Sequence, residues 1–185
     1  MPEQPTFGRY TETPYERMTP EQQDAYRSLI ETRGRLPGPN KIWVDNPKLA
    51  KVMGPVGAYF RTGYSLSERE REIAVVVINS KWHSIYPTNA HERAAKAAGL
   101  PADQVEALLS GLPASFDDER EQVVYEMATC LASSRWVSKG LHERAVKALG
   151  HNGITDVICL MGFYTSVSMT LAFYDVPAGA EGMQR

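Results

Sequence analysis

Residues 67–99 read SEREREIAVVVINSKWHSIYPTNAHERAAKAAG, and this stretch decides the fold. Ser67 with Glu70 three positions on makes a capping box, so a helix opens there. From Ile73 to Ile78 the side chains are apolar almost without a break, which puts that helix in contact with neighbours on several sides. Pro87 then disturbs the register. It has no amide hydrogen to donate and crowds the preceding turn, so the first helix is expected to end near His83 to Ile85. Thr88 or Asn89 would start a second helix through AHERAAKAA, which Gly99 closes. Two consecutive helices with a break between them therefore carry Glu72, His83, Ser84, Tyr86 and His91.

Helix signals recur on both sides of this stretch. Thr19, Pro20 and Gln22 supply a cap, a first-turn proline and a box partner, for a helix reaching about Thr32 and stopped by Gly34 and Pro37. Asn46-Pro47 repeats the device before LAKVMGPVGAYF, where Pro55 predicts a kink or a split. Pro101 opens a short helix ended by Gly111. Residues 115–118 cap the next, on which Val123, Met127, Cys130 and Leu131 share a face. Ser138 caps LHERAVKAL, closed by Gly150, and a last helix from about Ile154 to Tyr174 is apolar nearly all round. The sum is seven or eight helices with no period-two alternation, an all-α bundle. Residues 1–35 form an N-terminal extension and first helix, 36–177 the bundle, and 178–185 a tail. HERAAKAAG from residue 91 and HERAVKALG from residue 142 echo each other, by duplication or by chance. Two long, poorly amphipathic helices exceed what one small bundle hides, so a homo-oligomer is expected.

Composition bounds the function. The 185 residues suit one compact domain whose core needs neither disulfide nor metal. Hydrophobic residues at 43%, charged residues at 23% and a net charge of −2 are ordinary for a soluble protein, with no basic stripe for nucleic acid. No secretory signal is visible, and the apolar runs read as interrupted or too short to span a bilayer, so a cytoplasmic protein without membrane contact is expected. Cys130 and Cys159 form no CxxC and read as buried, inert thiols. His83, His91, His142 and His151 show no metal-ligand spacing, and no phosphate loop or dinucleotide fingerprint occurs, so neither metal nor cofactor is expected.

The chemistry-bearing residues are those of residues 67–99. A glutamate followed at once by IAVVVI is expected to be buried, which raises its pKa unless a cation or histidine lowers it. Such tuning suits proton transfer near neutral pH, and His91 would be the second group. Tyr86 would donate to a developing oxyanion, and His83 and Ser84 at the helix break would bind the substrate. The plainer readings stand beside these. Glu72 pairs with Arg69, Arg71 or a lysine on a solvated face, His91 is a satisfied histidine near a helix start, His83 is a surface or loop residue, and Ser84 and Asn89 are caps. Tyr86 and the tryptophans 43, 82 and 136 are packing aromatics, and His142 and His151 are surface residues.

Four segments together carry a resemblance: LPGPNKIWVDNPKLAKVMGPVGAYFR, SLSEREREIAVVVI, AHERAAKAAGL and LGHNGITDVICLMGFYTSVSMTLAFYDVP. Over roughly residues 36–177 the chain resembles the carboxymuconolactone decarboxylase-like superfamily, which includes the alkylhydroperoxidase D-like proteins. The resemblance implies that fold and a site at Glu72 and His91. Counting from Glu72, the two cysteines of the peroxidase branch fall on Ser84 and Pro87, so thiol peroxidase chemistry is not expected. In the decarboxylase-like branch an acid often precedes the histidine by four; here Tyr86 is kept and Pro87 takes the acid's place. The implied activity is cofactor-independent acid/base chemistry, of the decarboxylase kind, on a small carboxylated or lactone-like molecule. The alternatives are a residual peroxidase activity and a non-catalytic oligomeric binding module.

Overall fold

A computed structural model describes residues 4–36 and 38–183. Among them are eight α-helices and no strand: α1 (Pro20–Arg33), α2 (Asn40–Trp43), α3 (Pro47–Thr62), α4 (Glu68–Trp82), α5 (Ile85–Ala97), α6 (Ala102–Leu109), α7 (Glu119–Ala132) and α8 (Lys139–Phe173). The all-α bundle is thus present. The caps follow local chemistry: capping boxes at Thr19 and Ser67, and side-chain caps from Asn46, Asp118 and Ser138. Pro37, an expected stop for α1, lies outside the described residues.

The helices enclose two apolar clusters. In the larger, α4 is central and packs against α5, α6, α7 and α8, with Ile73, Val76, Val105, Val124, Val157 and Leu160 buried. The smaller gathers Phe7 and Tyr10 from the N-terminal segment, Leu29 of α1, Trp43 of α2 and Val167 and Leu171 of α8. Phe163 and Tyr164 of α8 pack against both. A buried ion pair, Lys41 Nζ to Glu12 at 3.0 Å, fastens the N-terminal segment to α2.

Several expectations are corrected. Pro87 breaks nothing, because α5 already starts at Ile85 and Pro87 sits in its first turn, where an amide hydrogen has no helical partner to lose. The break itself falls where expected, at His83, whose backbone is left-handed (φ 48°); it is the start of α5 that lies earlier than Thr88 or Asn89. Pro55 does not split α3, which runs unbroken through it. The last two expected helices both form within the span of α8, and they are separated where expected, at Gly150, whose φ 65° and ψ 175° leave the helical region. By length and composition the span of α8 is long and apolar enough to cross a bilayer, where the sequence reading takes its apolar run as too short, and 39% of that apolar window is buried in the bundle. Cys159 is exposed rather than buried, and so is Trp136 at 93% exposure, whereas Trp43 is a core anchor. The four-residue α2 had no periodic signal to announce it.

Candidate active site

The capping box fixes the start of α4 and, with it, the direction of the next turn. Glu72 then points inward and has no solvent exposure. An isolated carboxylate there would cost several kcal/mol, and it is not isolated. Its Oε2 lies 2.7 Å from Nδ1 of His91 on α5. Its Oε1 accepts from the Arg71 guanidinium, with Nε at 2.9 Å and an amino nitrogen at 2.7 Å. Burial alone would raise the Glu72 pKa, but the hydrogen bonds and charges of His91 and Arg71 together outweigh it and hold the group below the usual carboxylate range.

Further side chains fix the two partners. Arg71 also donates to the Tyr64 hydroxyl at 3.0 Å and lies over that ring. The His91 imidazole meets Tyr164 edge to face, ring centres 4.8 Å apart. Its side chain keeps 17% of its surface exposed. With an ionised Glu72 on Nδ1, that nitrogen carries the proton, and Nε2 is the one left to exchange a proton with a bound molecule.

The remaining predicted residues do not join this group. Tyr86 is five residues before His91, about 140° away around the helix. It packs edge to face on Phe7 and makes a backbone hydrogen bond with Gly38. Burial raises its pKa, against the smaller opposing pull of Arg35 and that hydrogen bond. It lines a cavity of about 780 Å³ with Tyr26, Arg35 and Lys41. His83 is exposed and borders two cavities of about 340 and 400 Å³, which share Ser80 and Leu109 with it and are not lined by Glu72 or His91. Ser84 heads α5 without making a side-chain cap, and its buried Oγ has no hydrogen-bond partner in the structure. No cluster that could hold a metal ion occurs among the described residues.

Arg71, Tyr64 and Tyr164 were not named as site residues from sequence. Neighbours in a helix do not face each other, so an Arg71–Glu72 contact depends on the long guanidinium arm curling back. Tyr164 arrives from a distant helix, and no local pattern marks it.

One sequence signal does bear on the site. The offset that separates His91 from His142 also aligns the cap Ser67 with Asp118, the tripeptide Glu68-Arg69-Glu70 with Glu119-Arg120-Glu121, and Gly99 with Gly150. The structure makes this likeness reciprocal. Arg69 of α4 grips Glu121 of α7 with two hydrogen bonds (2.5 and 2.9 Å), and Arg120 of α7 grips Glu70 of α4 with two (2.6 and 3.2 Å). Each arginine also reaches a carbonyl near the end of its own half's second helix, Arg69 at Gly99 and Arg120 at Ala148. The position matching Glu72 is Val123, equally buried at 0%. The position matching His91 is His142, which is exposed.

No protein-family model and no curated protein matches the chain. Two crystal structures of the debrominase Bmp8 share its fold. The apo form is 15% identical with a TM-score of 0.66, over 87% of each chain. A cysteine-to-alanine variant in complex with 2,3,4-tribromopyrrole is also 15% identical, with a TM-score of 0.65 over 87% of each chain. At that identity the likeness defines the class of helical fold to which the chain belongs, and the chemistry has to be argued from its own residues.

Proposed function

We propose that the chain is a carboxymuconolactone decarboxylase-like protein and a cofactor-independent acid/base enzyme acting on a small, planar, carboxylated or lactone-like molecule. The observation that carries this reading is Glu72: a wholly buried carboxylate at a position which the other half of the molecule fills with Val123. Packing does not ask for an acid there, and keeping one ionised costs desolvation that Arg71 and His91 must offset. Such an arrangement is expected where a carboxylate orients and charges a histidine for proton transfer.

In the proposed reaction Glu72 holds the Nδ1 proton of His91 and fixes Nε2 as the proton-transferring atom. Nε2 donates its proton to the substrate carbon that bears the carboxylate. As the carbon–carbon bond to carbon dioxide breaks, its electron pair forms the new carbon–hydrogen bond to that proton, and His91 takes its next proton from water, so a carboxylate is exchanged for hydrogen with no change in any cofactor. Arg71, held between Glu72 and Tyr64, keeps the carboxylate charged throughout. Ser84 and His83, at the helix break, lie apart from the dyad and take no part in this step. Tyr86, on another face of α5, packs on Phe7 and is likewise apart from the dyad. A fold-mate crystallised with a brominated pyrrole supports a small planar ring as the guest.

A second reading is a structural ion pair in a non-catalytic module. It is favoured by the edge-on packing of Tyr164 against His91 and by the cavities at His83, which neither Glu72 nor His91 lines. Mass spectrometry after incubation with a panel of small aryl and lactone carboxylic acids separates the two. Wild type is expected to release carbon dioxide from at least one, and H91A and E72Q to lose that turnover. Equal turnover by all three rejects the dyad as catalytic.

A further inference from the structure

The cavity of about 780 Å³ that Tyr86 borders is separate from the dyad, for neither Glu72 nor His91 lines it. Tyr26 and Ile30 of α1, Arg35 of the following turn, Lys41 of α2 and Met183 of the tail share its lining. Both ends of the chain are fastened beside it. Lys41 Nζ bonds Glu12 at 3.0 Å and the Met183 carbonyl at 3.4 Å, and the Met183 amide donates to the Glu12 carboxylate. Most of this lining therefore lies outside residues 36–177, over which the resemblance runs, and the cavity is built by what this chain adds to the bundle.

Two strong donors in the lining are unspent. The Tyr86 hydroxyl accepts a hydrogen bond from the Gly38 amide and donates to nothing among the described residues. Gly38 has φ 47°, and a Cβ there would lie 3.3 Å from the Tyr86 ring, so glycine is what lets the turn come this close. The Arg35 guanidinium is exposed and has no ion pair or hydrogen bond among the described residues, yet it is near enough to act on the charge of Tyr86. The neighbouring charges do not answer it. Lys41 and Glu12 neutralise each other, and Glu181, the acid in the lining, has a contact of its own and leaves Arg35 unpaired.

We infer that this cavity binds a small aryl monocarboxylate, its carboxylate held by Arg35 and the Tyr86 hydroxyl and its ring lying against Tyr26, Ile30 and Leu36. A planar carboxylate offers two oxygens to the guanidinium fork and a further lone pair to a phenol. One unpaired cation matches one negative charge, whereas a phosphate monoester would bring nearly two. The Tyr26 ring is itself set by Tyr15, the ring centres 5.1 Å apart, so an aromatic wall stands ready for a flat guest. The volume lies within the roughly 300–1,000 Å³ of small-molecule sites and leaves room for ring substituents. The inference is independent of the chemistry at Glu72 and His91.

Proton–nitrogen NMR titration of the full ¹⁵N-labelled chain with sodium benzoate, at constant ionic strength, tests it. Wild type is expected to bind saturably, with the largest shifts at the amides of Gly34, Leu36, Gly38 and Ala180. Benzyl alcohol has the ring without the charge, and acetate and inorganic phosphate have charge without the ring; each is expected to bind at least about tenfold more weakly. R35Q changes an exposed side chain in a turn and should weaken benzoate about 10–100-fold, and Y86F about 3–10-fold, both with an unchanged far-UV circular dichroism spectrum. Shifts centred on His91 and abolished in H91A place benzoate at the dyad and overturn the inference. So do unaltered binding by both R35Q and Y86F, phosphate binding tighter than benzoate, or no saturation below about 10 mM. None of these readings depends on turnover, so a failure here and a failure of the proposed enzyme are told apart.

Discussion

The pair α4–α5 and the pair formed by α7 with the start of α8 begin alike and end alike. Each opens with a side-chain cap and Glu-Arg-Glu, each carries His-Glu-Arg-Ala in its second helix, and each stops at a glycine with positive φ (89° at Gly99, 65° at Gly150). Their arginines are exchanged across the middle, Arg69 to Glu121 and Arg120 to Glu70. They part company at one buried position. The first half has Glu72, tied to His91, and the second has Val123, with His142 facing out. Valine at 123 indicates what packing alone requires at such a position. The acid at 72 is an addition to the scaffold, and the proposed proton transfer would account for it.

Forcing the halves to match should have the largest effect. V123E places a carboxylate in an apolar core where Gln122 stands in place of an arginine and His142 is turned away. A loss of about 3–5 kcal/mol, or failure to fold, is expected in urea denaturation. The opposite change, E72V, removes a buried charge and keeps an apolar side chain there. Its stability should change by less than about 2 kcal/mol, while turnover of any substrate found for the wild type disappears. E72Q keeps the shape and loses the charge, and proton transfer should slow by about 10²–10⁴-fold in single-turnover kinetics.

The pH dependence sharpens the contrast further. The folded pKa of Glu72 lies below its ordinary value, so its contribution to stability is complete above the ordinary glutamate range of about 4.3. That contribution is lost as pH falls through the lower, folded value. Thermal melts between pH 6 and pH 3 should therefore decline less steeply for E72Q than for wild type. The exchanged arginines come next, R69A and R120A each costing about 1–2 kcal/mol, R120A the more because Glu70 is the more buried partner. H142A should be the mildest, within about 0.5 kcal/mol by the same melts and with turnover unchanged.

Much of the fold was legible because its signals are local. Thr19 with Gln22, Ser67 with Glu70, Asn46 with Pro47, Asp118 and Ser138 each satisfy their own helix start, whatever packs above them. Pro87 misled because its effect depends on its place in the turn: in a first turn it interrupts nothing. The exposure of Cys159 and Trp136 was hidden because it depends on which neighbours arrive, as was the four-residue α2. The pairing of Glu72 with His91 was legible from an apolar run beside an acid and from the resemblance. Tyr86 was grouped with them because sequence proximity ignores the turn of α5, which carries it to Phe7. Arg71 and Tyr164 depend on side-chain reach and on a helix more than seventy positions away.

The central claim is that Glu72 fixes His91 through Nδ1 and frees Nε2. Long-range proton–nitrogen NMR of ¹⁵N-histidine-labelled protein tests it most directly, with His142 as the internal control. Neutral His91 is expected with its proton on Nδ1 in wild type, and that preference should vanish in E72Q while the His142 signal stays where it was. A His91 found as the Nε2–H tautomer, or one whose signals do not change when Glu72 becomes glutamine, would contradict the account.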